Sequence, residues 1–127
     1  MTVSPGLTAS KSYTVSEDDT AIALGSGDVP VLGTPRMIAW CEEVTVLALE
    51  PALESGRTTV GYRIRIDHLA PTPVGATVEV VASVSEASDR QVTLAVTVTD
   101  TNGTAAEGAI TRVVVDRDRF LAKATGG

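Results

Sequence analysis

The chain contains one histidine, His68, and it closes an alternating apolar run immediately before the turn-forming stretch LAPTPVG. Upstream, Thr34 and Pro35 open a long apolar segment that carries Glu42 and Glu43 side by side. A hydroxyl, a carboxylate and an imidazole are together the parts of acyl transfer or hydrolysis. The carboxylate fixes the imidazole tautomer and stabilises its charged form, the histidine moves protons, and the hydroxyl attacks the acyl carbon or positions water. Unpaired amides at a helix start, here near Arg36 and Met37, add donors that polarise a carbonyl where negative charge develops. Each residue also has a plain structural role open to it. Thr34 is a good helix cap, Glu42 could be half of a buried ion pair, and a lone histidine on an apolar face is often a hydrogen-bonded core residue.

These residues need elements to position them. Thr34 as N-cap and Pro35 in the first helical position predict a helix that runs to Pro51 and ends near Leu53. It is apolar on most sides, the pattern of a helix wrapped by something rather than laid on a surface. At about 100° per residue, Arg36, Glu43 and Glu50 fall on one solvated stripe, whereas Glu42 projects roughly 80° away, between Val46 and Leu49. A carboxylate there needs a partner, so Glu42 is the candidate for chemistry and Glu43 the candidate for solubility. The eight residues from Thr34 to Glu42 span about 12 Å of helix, too far for direct contact. Either the substrate and His68 bridge that gap, or a two-fold dimer supplies part of the site from the second chain, the option favoured here.

The remainder reads as β structure. One strand is expected from Leu7 to Val15, followed by a turn at 16–19, a short apolar piece at 21–24 and a glycine-rich loop at 25–33 feeding the helix. After the helix, strict alternation over 57–68 puts Val60, Tyr62, Ile64, Ile66 and His68 on one face. Strands follow at 77–86, 91–100 and, after the hairpin signal Asn102-Gly103, at 104–116, with a charged and helical tail. Short connections predict that these four strands form an antiparallel meander. The expected architecture is α+β, a curved antiparallel sheet wrapped around one long central helix. It forms a single domain over 1–127, with residues 1–6 loose.

Composition narrows the function. Ten basic against sixteen acidic residues give a net charge of −6, which argues against nucleic-acid and anionic-membrane binding. No apolar run reaches membrane-spanning length and no signal peptide is evident, so the expected compartment is the cytoplasm. A single cysteine excludes an internal disulfide, and Cys41, within the apolar helix, reads as inert packing. Arg112, Arg117, Arg119 and Lys123 cluster near the C-terminus, and Arg63 and Arg65 form a second small group. Such a patch could hold a phosphate-bearing small molecule or could be a solvated charged edge.

At this point the residues resemble the hotdog-fold acyl-CoA thioesterases, and among them the fluoroacetyl-CoA thioesterase group. The resemblance rests on Thr34 in LGTPRM, Glu42 in AWCEE and His68 in DHLAPTPVGATVEV, and it extends over 7–123, including GAITRVVVDRDRFLAK. It implies a hotdog fold, a homodimer, a coenzyme A thioester as substrate, and no metal or further cofactor. Thr34 would be the nucleophile or the water-positioning hydroxyl, Glu42 the carboxylate partner and His68 the general acid/base. Gly61 matches a glycine that contributes to substrate selectivity. Strict alternation puts it on the face opposite His68, so either a bulge intervenes or the match fails. Asp28 stands where the fluoroacetyl enzyme carries a phenylalanine lid, so the acyl group is left open. Pairing of dimers into larger assemblies is also left open.

Two other readings use the same residues. Hotdog proteins include hydratases and dehydratases of acyl thioesters, but alternation sends Asp67 and His68 to opposite faces. A non-catalytic acyl-CoA-binding dimer would keep the basic patch and have no use for Glu42 near His68.

Overall fold

Pro35 in the first turn and Pro51 just beyond the last bracket a sixteen-residue helix, α2 (Thr34–Leu49), which tightens into a 3-10 turn over Glu50–Ala52 before the chain leaves it. The computed structural model describes residues 3–126. Before α2 come β1 (Thr8–Thr14) and a single turn of helix, α1 (Ala21–Leu24). After it come β2 (Arg57–His68), β3 (Thr77–Ala87), β4 (Gln91–Asp100), β5 (Gly103–Asp116) and a C-terminal helix, α3 (Arg117–Ala124). The five strands form one antiparallel sheet curved around α2, the expected α+β architecture. Among the described residues no helix is long and apolar enough to cross a membrane.

The core is the inner face of the sheet closed onto one side of α2. Met37, Cys41, Val44, Ala48 and Leu49 meet Val78, Val80, Ala82, Leu94, Val96, Val98 and Ile110 there. Each buried large aliphatic contributes about 1.5–3 kcal/mol, so this layer fixes how the helix sits. The other side of α2 stays open, with Val46 39% and Leu47 40% exposed. One sheet of five strands covers a helix on one side only. Tyr13 stacks on Trp40, with ring centroids 4.5 Å apart, and its hydroxyl donates to Glu43, which also accepts from Lys11 at 3.0 Å. These contacts tie β1 to the helix and hold the Glu43 carboxyl below the usual carboxylate range, through the Tyr13 hydroxyl first and Lys11 second.

Three expectations are corrected. The strands do not form a simple meander: the order is β1-β3-β4-β5-β2, so β2 pairs with β5 at the far edge and not with its sequence neighbour β3. Three strand spacings of about 4.8 Å separate β2 from β3, and a connection of this length reaches across the sheet end easily. Strict alternation in β2 also fails. The register shifts between Gly61 and Arg63, leaving Tyr62 as an extra residue, 56% exposed. Thr59 and Gly61 before this bulge therefore share a face with Ile64, Ile66 and His68 after it, as their partners Val114, Arg112, Ile110, Gly108 and Ala106 confirm. Finally, residues 3–6 are not patternless in space. Val3 packs on the core and the Gly6 amide donates to the Val84 carbonyl at 3.0 Å. Met1 and Thr2 lie outside the described residues.

Candidate active site

The start of α2 is built by Gly33 rather than by Thr34. Gly33 is the N-cap, and its amide donates to the Asp19 carbonyl at 2.9 Å. A Cβ at this position would meet Leu24 Cδ1 at 2.9 Å and the Ala21 backbone at 3.1 Å, so only glycine lets the helix start press this close to α1. Thr34 then falls inside the first turn, and its hydroxyl is released from capping. The amides of Arg36 and Met37, expected to be unpaired, both donate to the Gly33 carbonyl at 3.1 Å. The physical reason is the one-residue shift of the cap, together with Pro35, which has no N–H to offer. Among the described residues, the amide left without an acceptor in this turn is that of Thr34.

The freed hydroxyl finds His68. Thr34 Oγ1 lies 2.8 Å from His68 Nδ1, although the two residues are thirty-four positions apart in sequence. His68 reaches it because β2 ends there: the next two amides, of Leu69 and Ala70, turn to the Ala105 carbonyl at 2.7 and 3.2 Å. The other ring nitrogen, Nε2, is buried with no hydrogen-bond partner. Burial lowers the His68 pKa from its ordinary 6.5, because a charged ring would have no compensation there. A neutral imidazole beside a hydroxyl is the base required to take that hydroxyl's proton.

Thr34 and His68 open onto a cleft of about 340 Å³ walled by the 25–33 loop and the turn after β2, with Asp28, Val29, Leu69 and Pro71 in its lining. The Val31↔Pro73 bridge and the Leu32 amide, which donates to the Thr72 carbonyl at 2.8 Å, tie the two walls together. Asp28 is the one acidic side chain that lines the cleft. Asp67 pairs with Glu107 on the opposite face of the strand, away from the cleft.

Glu42 is not in this cluster. Its Oε2 accepts from Arg112 Nη1 at 3.2 Å, and it lies so close to β2 that a Cβ on Gly61 would be 2.6 Å from it. Arg112 is fixed in turn by Thr59, donating from Nε to its hydroxyl at 2.9 Å and from Nη2 to its carbonyl at 3.1 Å. Burial pulls the guanidinium pKa down and Glu42 pushes it back. One chain therefore holds two separate polar groups on the same face of β2. Thr34 and His68 sit at one end, and Glu42, Arg112 and Gly61 sit seven positions back, roughly 23 Å along the strand. Sequence reasoning left Arg112 in a surface patch. The signal that marks it is its place on the inward side of β5, two residues after buried Ile110.

The remaining candidates divide. Arg36 is engaged with Asp19, its Nε 2.9 Å from the carboxylate, and Met37 is a core side chain. Arg119 and Lys123 line a separate cavity at the other end of the sheet, and Arg117 does not. Cys41 is fully buried against Met37, and burial followed by the nearby Glu42 charge pushes its thiol up to about 12, which makes it inert at neutral pH.

Comparison with known proteins identifies the family. The family model of FlK, the fluoroacetyl-CoA-specific thioesterase, matches residues 15–118. The fluoroacetyl-CoA thioesterase of Streptantibioticus cattleyicolor is 32% identical over 93 residues, covering 73% of this chain and 67% of that protein. A solved structure of the fluoroacetyl-CoA thioesterase FlK superposes with a TM-score of 0.90 at 27% identity, covering 98% of this chain and 96% of the other. A threonine-to-serine form of FlK in complex with acetyl-CoA gives 0.91 at 25% identity, covering 98% of each chain. A hot-dog-like protein from Thermanaerovibrio acidaminovorans shares the fold, with a TM-score of 0.89 at 24% identity over 96% of this chain and 90% of its own.

Proposed function

The chain belongs to the fluoroacetyl-CoA-specific thioesterase family and hydrolyses an acyl-CoA thioester, and we propose that it does so as a homodimer in which Thr34 and His68 of one subunit work with Glu42 of the partner subunit. The observation that carries this reading is the 2.8 Å contact between Thr34 Oγ1 and His68 Nδ1 at an open cleft, beside an amide with no acceptor.

With the thioester carbonyl beside Thr34, neutral His68 takes a proton from the Thr34 hydroxyl or from a water that Thr34 holds. A C–O bond forms, and the carbonyl oxygen gains charge facing the Thr34 amide. Collapse breaks the C–S bond, and the imidazolium gives its proton to the departing thiolate. If Thr34 attacks, a water then repeats the cycle and releases the acid. If Thr34 positions water, the acid leaves directly. A carboxylate from Glu42 stabilises the imidazolium in either case. These steps use no metal and no cofactor beyond the coenzyme A of the substrate.

Two features support the dimer. The open side of α2, with Val46 and Leu47, and the unpaired edge of β2, with exposed Ile64, need cover. Antiparallel pairing of two β2 edges about an axis through Arg65, with Tyr62 looped out, sets Gly61, and Glu42 lodged against it, opposite the partner's His68. The bulge at Tyr62 makes those residues share a face.

The test is release of free thiol from a panel of acyl-CoA thioesters. His68→Ala is expected to lower turnover on the order of 10²–10⁴-fold with folding intact. Mixed dimers of Glu42→Gln and His68→Ala subunits should regain activity that neither parent has. Absence of hydrolysis of every thioester by the wild type removes the enzymatic reading, and mixed dimers no better than their parents remove the shared site. A rapid-quench mass spectrum showing acyl-Thr34 would make the hydroxyl the nucleophile.

A further inference from the structure

Thr34 and His68 meet at the cleft, yet different parts of the molecule carry them. His68 closes β2 and is held by the sheet, opposite Ala106 in β5. Thr34 stands at the start of α2, and that start is gripped by Asp19, which does not line the cleft. The Asp19 carbonyl accepts from the Gly33 amide at 2.9 Å, and the Gly33 carbonyl accepts from the Arg36 amide at 3.1 Å. Arg36 Nε then returns to Asp19 Oδ1 at 2.9 Å, so the three residues close a ring around the Thr34-Pro35 step. This last contact is an ion pair and not an aligned hydrogen bond, since the buried Nε–H has no acceptor in its direction. Arg36 Nη2 also donates to the Asp18 carbonyl at 3.5 Å. The second carboxylate oxygen of Asp19, Oδ2, accepts from the Ser16 amide at 2.8 Å and from the Ser16 hydroxyl at 2.9 Å, in the capping box of the 3-10 turn over Glu17–Asp19. Asp19 is thus anchored on one side and holds the helix start on the other, with its side chain 13% exposed.

Stability alone gives little reason for the ion pair. The Arg36 side chain is 36% exposed, and solvent screening leaves such a pair a small net contribution to folding. Position is another matter. A hydroxyl that must meet an imidazole on a separate element is sensitive to displacements of about 1 Å, which cost on the order of 10²-fold in rate. We infer that Asp19 is a positioning residue for Thr34: through Gly33 and Arg36 it sets where the first turn of α2 lies, and with it the 2.8 Å contact to His68. Arg36 then serves the reaction through Asp19 and not by touching the thioester. The inference rests on the thioesterase reading but needs only one chain.

Asp19→Asn keeps an oxygen for Ser16 and the backbone carbonyl for Gly33, and removes the charge that holds Arg36. It is expected to lower kcat about 10–100-fold, with KM within about twofold of wild type and an unfolding midpoint close to it. Asp19→Glu restores the charge and is itself a capping-box residue, so it should recover most of the loss. Arg36→Gln should match Asp19→Asn, and the two together should be no worse than either, since both open the same ring. His68 is the only histidine in the chain, so its ring nitrogens give an unambiguous second readout by NMR. In Asp19→Asn the Nδ1 signal should move toward its position in Thr34→Ala. Losses that multiply in the double variant, a rise in KM confined to Arg36→Gln, or an Nδ1 signal that stays at its wild-type position would each overturn the inference while leaving the hydrolase in place. Failure of the enzymatic reading looks different: the wild type cleaves no thioester, and the Nδ1 signal still reports whether Asp19 holds Thr34 against His68.

Discussion

Gly61 and Glu42 compete for the same space: a methyl group at Gly61 would sit 2.6 Å from Glu42 Oε2. The absent side chain on β2 is what lets the helix carboxylate reach across to Arg112. Because the obstructing atom is the end of a flexible side chain, Gly61→Ala is expected to displace Glu42 rather than unfold the sheet. The outcome should be a fall in kcat of about tenfold or more with an unfolding midpoint close to wild type. Equal losses in turnover and in stability would mean that the glycine serves the strand and not the carboxylate.

The Arg112 fork predicts an asymmetry between its two partners. Arg112 is 6% exposed and makes two bonds to Thr59 besides the one to Glu42. Lysine cannot reproduce that fork, so Arg112→Lys should cost about 1–3 kcal/mol through orphaned Thr59 groups. Glu42 is 36% exposed at its side chain, and solvent screens its share, so Glu42→Gln should cost well under that in urea titrations while lowering turnover more. If both variants lose the same stability, the pair and not the Thr59 cradle holds Arg112.

His68 sets the pH dependence. Its pKa lies below 6.5 because burial penalises the charged ring, so the neutral base persists to lower pH than an exposed histidine would allow. In Glu42→Gln, where desolvation acts without the partner's carboxylate, the acid limb of kcat/KM should have its midpoint below 6.5, and in the wild type the partner's Glu42 should move that midpoint upward. The linked stability has the matching sign. The unfolded chain binds the proton more readily, so folded stability is lost as pH falls through 6.5 toward the folded value. A midpoint above 7 in Glu42→Gln would show that another charged neighbour, and not desolvation, governs the ring.

The helix and strand boundaries were legible because they depend on local chemistry. Pro35 and Pro51 frame α2, and alternation marks 91–100 to the residue, whereas 57–68 has the expected ends with a bulge between them. The partner of β2 was not legible, because the turn after His68 is long enough to cross the sheet end and short enough to suggest a hairpin. The Tyr62 bulge escaped for a related reason. It is set by pairing with β5, and nothing at Gly61 or Tyr62 announces it in one strand alone. Thr34 and His68 could be matched by chemistry, but the identity of the cap could not. That depends on how closely α1 presses on Gly33, which is a tertiary contact.

Asp28 predicts which acyl groups the cleft refuses. It is the single acid lining a hollow otherwise walled by small, apolar and polar uncharged residues and by His68. A second carboxylate brought into that space, as on a succinyl or malonyl thioester, meets it with about 1 kcal/mol of repulsion at screened, partly solvated separations. Neutral acyl groups such as acetyl and propionyl do not. Asp28→Asn should therefore raise kcat/KM for succinyl-CoA roughly fivefold relative to acetyl-CoA, with the acetyl value little changed. Because the loop is exposed, the wild-type discrimination should shrink as ionic strength rises and the Debye length falls below about 10 Å. An unchanged succinyl-to-acetyl ratio in the variant would place the acyl group away from the 25–33 loop. Position 28 would then have no bearing on which thioester this chain cleaves.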